Sequence, residues 1–80
     1  MIKLLFFAGL AERLQAREMQ LTFRPDLSVG DVIADLKNNY PSIAEMLKTT
    51  MVAVNQEYAR ADHLLKDGDE IAFIPPVSGG

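Results

Sequence analysis

The residues with the most chemical promise lie at the end of the chain, where Phe73-Ile74-Pro75-Pro76-Val77-Ser78 runs into Gly79-Gly80. Proline fixes φ and favours an extended, unpaired backbone. Glycine has no Cβ to meet walls that close around the chain. From Pro76 to Gly80 such an arm would reach roughly 16 Å from the body at ~3.3 Å per residue. An α-carboxylate at its tip has a pKa of about 3.3–3.7, so at neutral pH it is ionised and can attack a phosphate in another protein's active site. We therefore read the Gly80 carboxylate as the reactive group and the remaining residues as its presentation.

Other reactive side chains are few. His63 is the only histidine and stands beside Asp62 in a loop-like stretch, the setting of an exposed residue or a local hydrogen-bond partner. Asp67, Asp69 and Glu70 are close together, but Asp-Gly-Asp without the full loop of ligands reads as a turn and not a calcium site. Ser28 and Ser78 lack the surroundings of a nucleophile, and Gly9, Gly30 and Gly68 are too far apart for a phosphate-binding loop. With no cysteine, disulfides, thiolate metal centres and a catalytic thiol are excluded. Sulfur chemistry, if any, must run through something other than a side-chain thiol. No metal site and no stably bound cofactor are expected, and the chain does not read as a self-contained enzyme.

Eighty residues make one small domain, and a hydrophobic share of 49% is enough for a core. The net charge of −3, with lysines and arginines scattered along the chain, argues against nucleic acid. Lys3 followed by Leu4-Leu5-Phe6-Phe7-Ala8-Gly9-Leu10-Ala11 has the outline of a secretory signal. Its charged part is a single lysine, however, and its apolar part is far too short to span a bilayer. The segment reads better as a first strand in a cytoplasmic protein that engages no membrane.

Ile2 to Phe7 is rich in β-formers, and Leu10 to Arg17 follows as a brief helix. Met19, Leu21 and Phe23 alternate with polar residues, predicting a strand with one wet face. Ser28 reads as a helix N-cap with Asp31 in a capping-box position. Val29, Val32, Ile33, Leu36 and Tyr40 then form one apolar helical stripe. Pro41 ends that helix, and Ile43, Met46 and Leu47 predict a further turn or two. Met51 to Val54 reads as a strand that turns at Asn55-Gln56-Glu57 into a short return strand at Tyr58-Ala59-Arg60. Lys66-Asp67-Gly68-Asp69 is a tight turn into a last strand, Glu70 to Ile74. The predicted class is α+β: a mixed sheet of about five strands with one main helix across one face. The first and last strands could be central neighbours. Residues 1–75 form the body, and 76–80 a flexible extended tail.

One pattern points outward. If Ile2, Leu4 and Phe6 face the helix, Leu5 and Phe7 fall on the other side of the sheet, as does Ile74 if Ile71 and Phe73 face inward. A sheet covered by one helix has nothing of its own to bury these residues. For Leu5, packing under a loop or the short helix competes with a partner surface. For Phe7 and Ile74, nearer the strand ends, a partner surface is the better account, and Tyr58 on the hairpin is a further anchor. Each side chain buried in a partner would contribute roughly 1.5–3 kcal/mol before association costs.

The chain resembles the small-subunit family of molybdopterin synthase, the MoaD family of ubiquitin-like β-grasp sulfur carriers. The likeness runs nearly end to end. It is carried by Ile2-Lys3-Leu4-Leu5-Phe6-Phe7-Ala8, by Ala53-Val54-Asn55-Gln56, and by the run from Asp67-Gly68-Asp69-Glu70 through Ile71-Ala72-Phe73-Ile74-Pro75-Pro76-Val77-Ser78 to Gly79-Gly80. The resemblance implies a carrier and not a catalyst. An adenylating enzyme would use Mg-ATP to convert the Gly80 carboxylate to a transient acyl adenylate, and a sulfur source would displace AMP to leave a thiocarboxylate. The tail, from Pro75 and Pro76 through Val77, Ser78 and Gly79, would then enter the large subunit and donate sulfur to cyclic pyranopterin monophosphate, building the molybdopterin dithiolene. The implied assembly is a heterotetramer of two small and two large subunits. Phe7 and Ile74 match positions that dock the large subunit in this family. Tyr58 takes a docking position that is often aliphatic, and Ala11 stands where some relatives carry arginine. Three other functions remain compatible with the residues: a sulfur carrier for thiamin-thiazole or thionucleoside synthesis, a ubiquitin-like protein modifier joined through Gly80, and a passive β-grasp interaction module.

Overall fold

A computed structural model of the chain describes residues 1–76. Its elements are β1 (Ile2–Phe6), α1 (Ala8–Leu14), β2 (Glu18–Leu21), α2 (Val29–Asn39), a 3-10 turn (Pro41–Ile43), α3 (Ala44–Leu47), β3 (Met51–Val54), β4 (Glu57–Tyr58) and β5 (Glu70–Ile74). The strands form one five-stranded sheet in the order β2-β1-β5-β3-β4. β1 and β5 run parallel at its centre, and the other pairs are antiparallel. The first and last strands are therefore central neighbours, the arrangement the sequence left open.

Alternation along the strands builds the core. Ile2, Leu4 and Phe6 of β1, Val52 and Val54 of β3, and Ile71 and Phe73 of β5 are buried on one face. Val29, Val32 and Leu36 of α2 pack over them with Leu10, Ile43 and Leu47. Phe6 and Phe73 are parallel-strand partners whose rings stack with centroids 5.4 Å apart. The helix stripe forms as expected at its start. Ser28 Oγ accepts the Asp31 N–H and the Asp31 carboxylate accepts the Ser28 N–H, completing a capping box.

Several boundaries differ from the sequence expectation, and β1 ends at Phe6 and not at Phe7. α1 starts at Ala8, which takes a left-handed φ of 51° to turn the chain off β1. It stops at Leu14 because Gln15, at φ 56°, closes the helix by donating to the Ala11 and Glu12 carbonyls. β2 ends at Leu21 and not at Phe23, since Leu21 already pairs with Ile2, the first residue of β1, and no partner strand remains. Phe23 instead packs from the loop against the core. β4 is confined to Glu57–Tyr58, although the Ala59 N–H still donates to the Val52 carbonyl. Among the described residues, no helix is long and apolar enough to cross a membrane.

Candidate docking face and carrier terminus

The strand registers assemble a second apolar surface on the side of the sheet away from the helices. Leu5 pairs with Ala72, Ala72 with Ala53, and Ala53 with Tyr58, a single row across β1, β5, β3 and β4. The next row pairs Ile74 with Met51. Phe7 extends that row at the end of β1, because its φ of −124° and ψ of 156° continue the strand past Phe6. Phe7 is 47% exposed, Met51 52% and Tyr58 71%, while Ile74 is half-buried. Two small residues at the centre, Ala53 and Ala72, are flanked by Phe7, Met51 and Tyr58, and among the described residues no element covers this face beyond the shelter α1 gives Leu5.

The sequence-predicted anchors Phe7, Ile74 and Tyr58 are thus brought to one face. Pro75, half-buried, and Pro76, exposed, leave the sheet directly after Ile74. Val77, Ser78, Gly79 and Gly80 lie outside the described residues. Leu5 is half-buried and lines an open groove of about 780 Å³ with Phe7, Ala11 and Gln15, so α1 shelters it locally. Ala11 in that groove is small and uncharged. Met51 was missed. Its signal was present, since the burial of Val52 and Val54 in the core sends Met51 to the opposite face by strand parity.

The remaining candidates have local roles. His63 is exposed, and its backbone carbonyl accepts the Val29 N–H at the start of α2. The Asp67-Gly68-Asp69 segment is a turn: Gly68 takes φ 93°, Asp67 pairs with the N-terminal ammonium, and the Asp69 carboxylate accepts from Asn55 and from the Lys66 backbone. Among the described residues, no group of three or more histidine, cysteine or acidic side chains is placed to hold a metal ion. Asp31, at the start of α2, has a carboxyl that ionises more readily than usual. The backbone N–H of Ser28, then the Ser28 hydroxyl and the Arg24 charge, hold its carboxyl below the ordinary value. It belongs to the helix layer, not to the docking face.

A mixed five-stranded sheet with a parallel central pair and a capped helix packed over one face defines a ubiquitin-like β-grasp protein. Residues 4–80 match the model of the ThiS family, and the chain belongs to that family. It is 39% identical to the molybdopterin synthase sulfur carrier subunit of Escherichia coli (strain K12), with 100% of each chain covered. The corresponding subunit of Chlamydomonas reinhardtii is 38% identical, covering 99% of this chain and 98% of the relative. Among solved structures, SAMP1 from Haloferax volcanii superposes with a TM-score of 0.87 at 30% identity, covering 99% and 98% of the two chains.

Proposed function

We propose that this chain is the sulfur carrier subunit of a molybdopterin synthase. Full-length similarity to the Escherichia coli carrier, at 39% identity, is the observation that carries this reading. In it, residues 1–75 are the docking body and 76–80 the arm that delivers Gly80. The exposed Phe7, Met51 and Tyr58, with Ile74 at the root of the arm, form the surface that seats the arm in a partner's active site.

The chemistry follows from the carboxylate. In the adenylating enzyme, a Gly80 oxygen attacks the α-phosphate of Mg-ATP, pyrophosphate leaves, and an acyl adenylate remains. A sulfur nucleophile then adds to the activated carbonyl and AMP departs, leaving a thiocarboxylate. The loaded tail enters the large subunit and gives its sulfur to cyclic pyranopterin monophosphate, with two transfers needed for the dithiolene. Lysines and arginines that handle the pterin belong to the large subunit. The working assembly is two small and two large subunits in the cytoplasm, and nucleotide meets this chain only as the transient adenylate.

The decisive experiment is intact mass after incubation with Mg-ATP, the host's adenylating enzyme and a sulfide source. A gain matching one oxygen replaced by sulfur, confined to the C-terminal peptide and absent without Gly80, supports a carrier. Pterin conversion on adding the large subunit then separates molybdopterin synthesis from the thiazole and thionucleoside pathways. No mass change with a demonstrably active enzyme sinks the thiocarboxylate and favours a passive module. The resemblance to SAMP1, a small archaeal modifier protein, favours a second reading as a protein modifier. Its mark would be an amide bond between Gly80 and a lysine of a target protein.

A further inference from the structure

The run Ala53-Val54-Asn55-Gln56 carries part of the family resemblance, yet the docking face uses only its alanine. Asn55 stands at the end of β3 with a left-handed φ of 49°, and Gln56 follows at φ 73°. The pair forms the tight turn that a two-residue hairpin needs. The Asn55 backbone N–H donates to the Glu70 carbonyl at 2.8 Å, and its side-chain Oδ1 accepts the Glu70 N–H at 3.0 Å. The amide thus supplies an extra rung between β3 and β5. Its Nδ2 donates to Asp69 Oδ1 at 2.9 Å, and the other oxygen of that carboxylate accepts the Lys66 N–H at 2.8 Å.

This clasp ties the β3–β4 turn to a segment that is itself held. The Lys3 N–H donates to the Asp69 carbonyl and the Gly68 N–H to the Met1 carbonyl. β4, by contrast, is an edge strand whose register with β3 consists of Ala53 with Tyr58 and Val54 with Glu57. Pairing that short does not hold its own geometry. The direction of Tyr58 therefore depends on the turn before it.

We propose that Asn55 is a positioning residue for partner docking. By clasping Glu70 at the start of β5 with its Oδ1 and Asp69 in the turn before it with its Nδ2, it orders the hairpin and holds the Tyr58 ring on the docking face. A ring ordered in advance spares the complex the entropy of immobilising it. The inference rests on the docking reading above and deepens it. The substitutions separate its parts. Asn55→Gly keeps access to positive φ but removes the amide. Asn55→Asp keeps the acceptor for Glu70 but sets a second carboxylate against Asp69.

The test combines amide hydrogen exchange on the free chain with calorimetric titration into the large synthase subunit, in wild-type and Tyr58→Ala backgrounds. Asn55→Gly is expected to speed exchange at Ala59, whose N–H bonds Val52, while the β1 amides keep their protection. Affinity is expected to fall about two- to tenfold, and the loss to vanish in the Tyr58→Ala background. Asn55→Asp should behave like Asn55→Gly. Unchanged exchange at Ala59, uniform loss of protection, or an equal loss of affinity with and without Tyr58 would each overturn the proposal. If the wild-type chain does not bind the large subunit, the docking reading fails and takes the docking role with it; the exchange data then decide whether Asn55 orders the hairpin.

Discussion

Met51 and Ile74 are cross-strand partners on β3 and β5, on the side of the sheet turned away from the helices. The pairing places a flexible thioether beside the residue from which Pro75 and Pro76 depart. Met51→Asp should therefore weaken binding to the large subunit by at least about tenfold, as loss of a buried interface anchor does. Thermal stability should change little, because Met51 is 52% exposed and lies outside the core. Leu64→Asp is the control, since Leu64 is 58% exposed but bridges Ser28 at the start of α2 and belongs to none of the strands that form this face. Equal binding of the Met51 variant and wild type in a calorimetric titration would remove Met51 from the interface.

Phe73 is fully buried and stacks on Phe6 across the central parallel pair. Phe73→Ala should cost about 3–5 kcal/mol of stability through lost burial and the cavity left behind. That is a large share of the roughly 5–15 kcal/mol available to a domain. Urea unfolding followed by circular dichroism measures it, and a loss below about 1 kcal/mol would show that the core collapses around the gap.

The Ser28 cap predicts a smaller effect. Ser28→Ala should cost about 0.5–2 kcal/mol by leaving the Asp31 N–H without its acceptor. Thermal denaturation reads the difference, and an unchanged midpoint would mean that water replaces the hydroxyl.

Asp31 adds a pH dependence of known sign. Its carboxyl is held below the ordinary value of 3.8 in the folded chain, so the folded state prefers the ionised form. The stabilisation is fully present above that ordinary value and is lost as pH falls through the lower folded value. Compared with Asp31→Asn, the wild type should lose extra stability on acidification below 3.8. Parallel acid-unfolding curves for the two proteins would contradict this.

Removing Gly79-Gly80 should abolish thiocarboxylate formation, and a tag placed after Gly80 should do the same by consuming the free carboxylate. On the carrier reading the midpoint of unfolding should stay within error of the wild type. Retained sulfur loading in either variant, read by intact mass, would locate the chemistry elsewhere.

Much of this architecture is legible from local rules. Ser28 and Asp31 mark the start of α2, and Met51–Val54 and Glu70–Ile74 form strands with the bounds their side chains predict. Parity alone sends Phe7 and Ile74 away from the core. What escapes is decided by partners distant in sequence. β2 stops at Leu21 because β1 begins at Ile2, and Met51 comes to lie beside Ile74 only once β3 is aligned against β5. The role of Asn55 escapes for the same reason, since its amide bonds residues 14 and 15 positions further along the chain.

The parallel pairing of β1 with β5 also governs when the protein can become itself. Lys3 waits for Glu70 and Phe6 for Phe73, so the middle of the sheet cannot close until nearly the whole chain has been made. Contacts of such long sequence separation slow folding, and during synthesis β1 must remain without its central neighbour. The same late step that seals the core brings Ile74 beside Met51. A nascent fragment that lacks β5 therefore has no Ile74 to set beside Met51 and cannot present this apolar face whole.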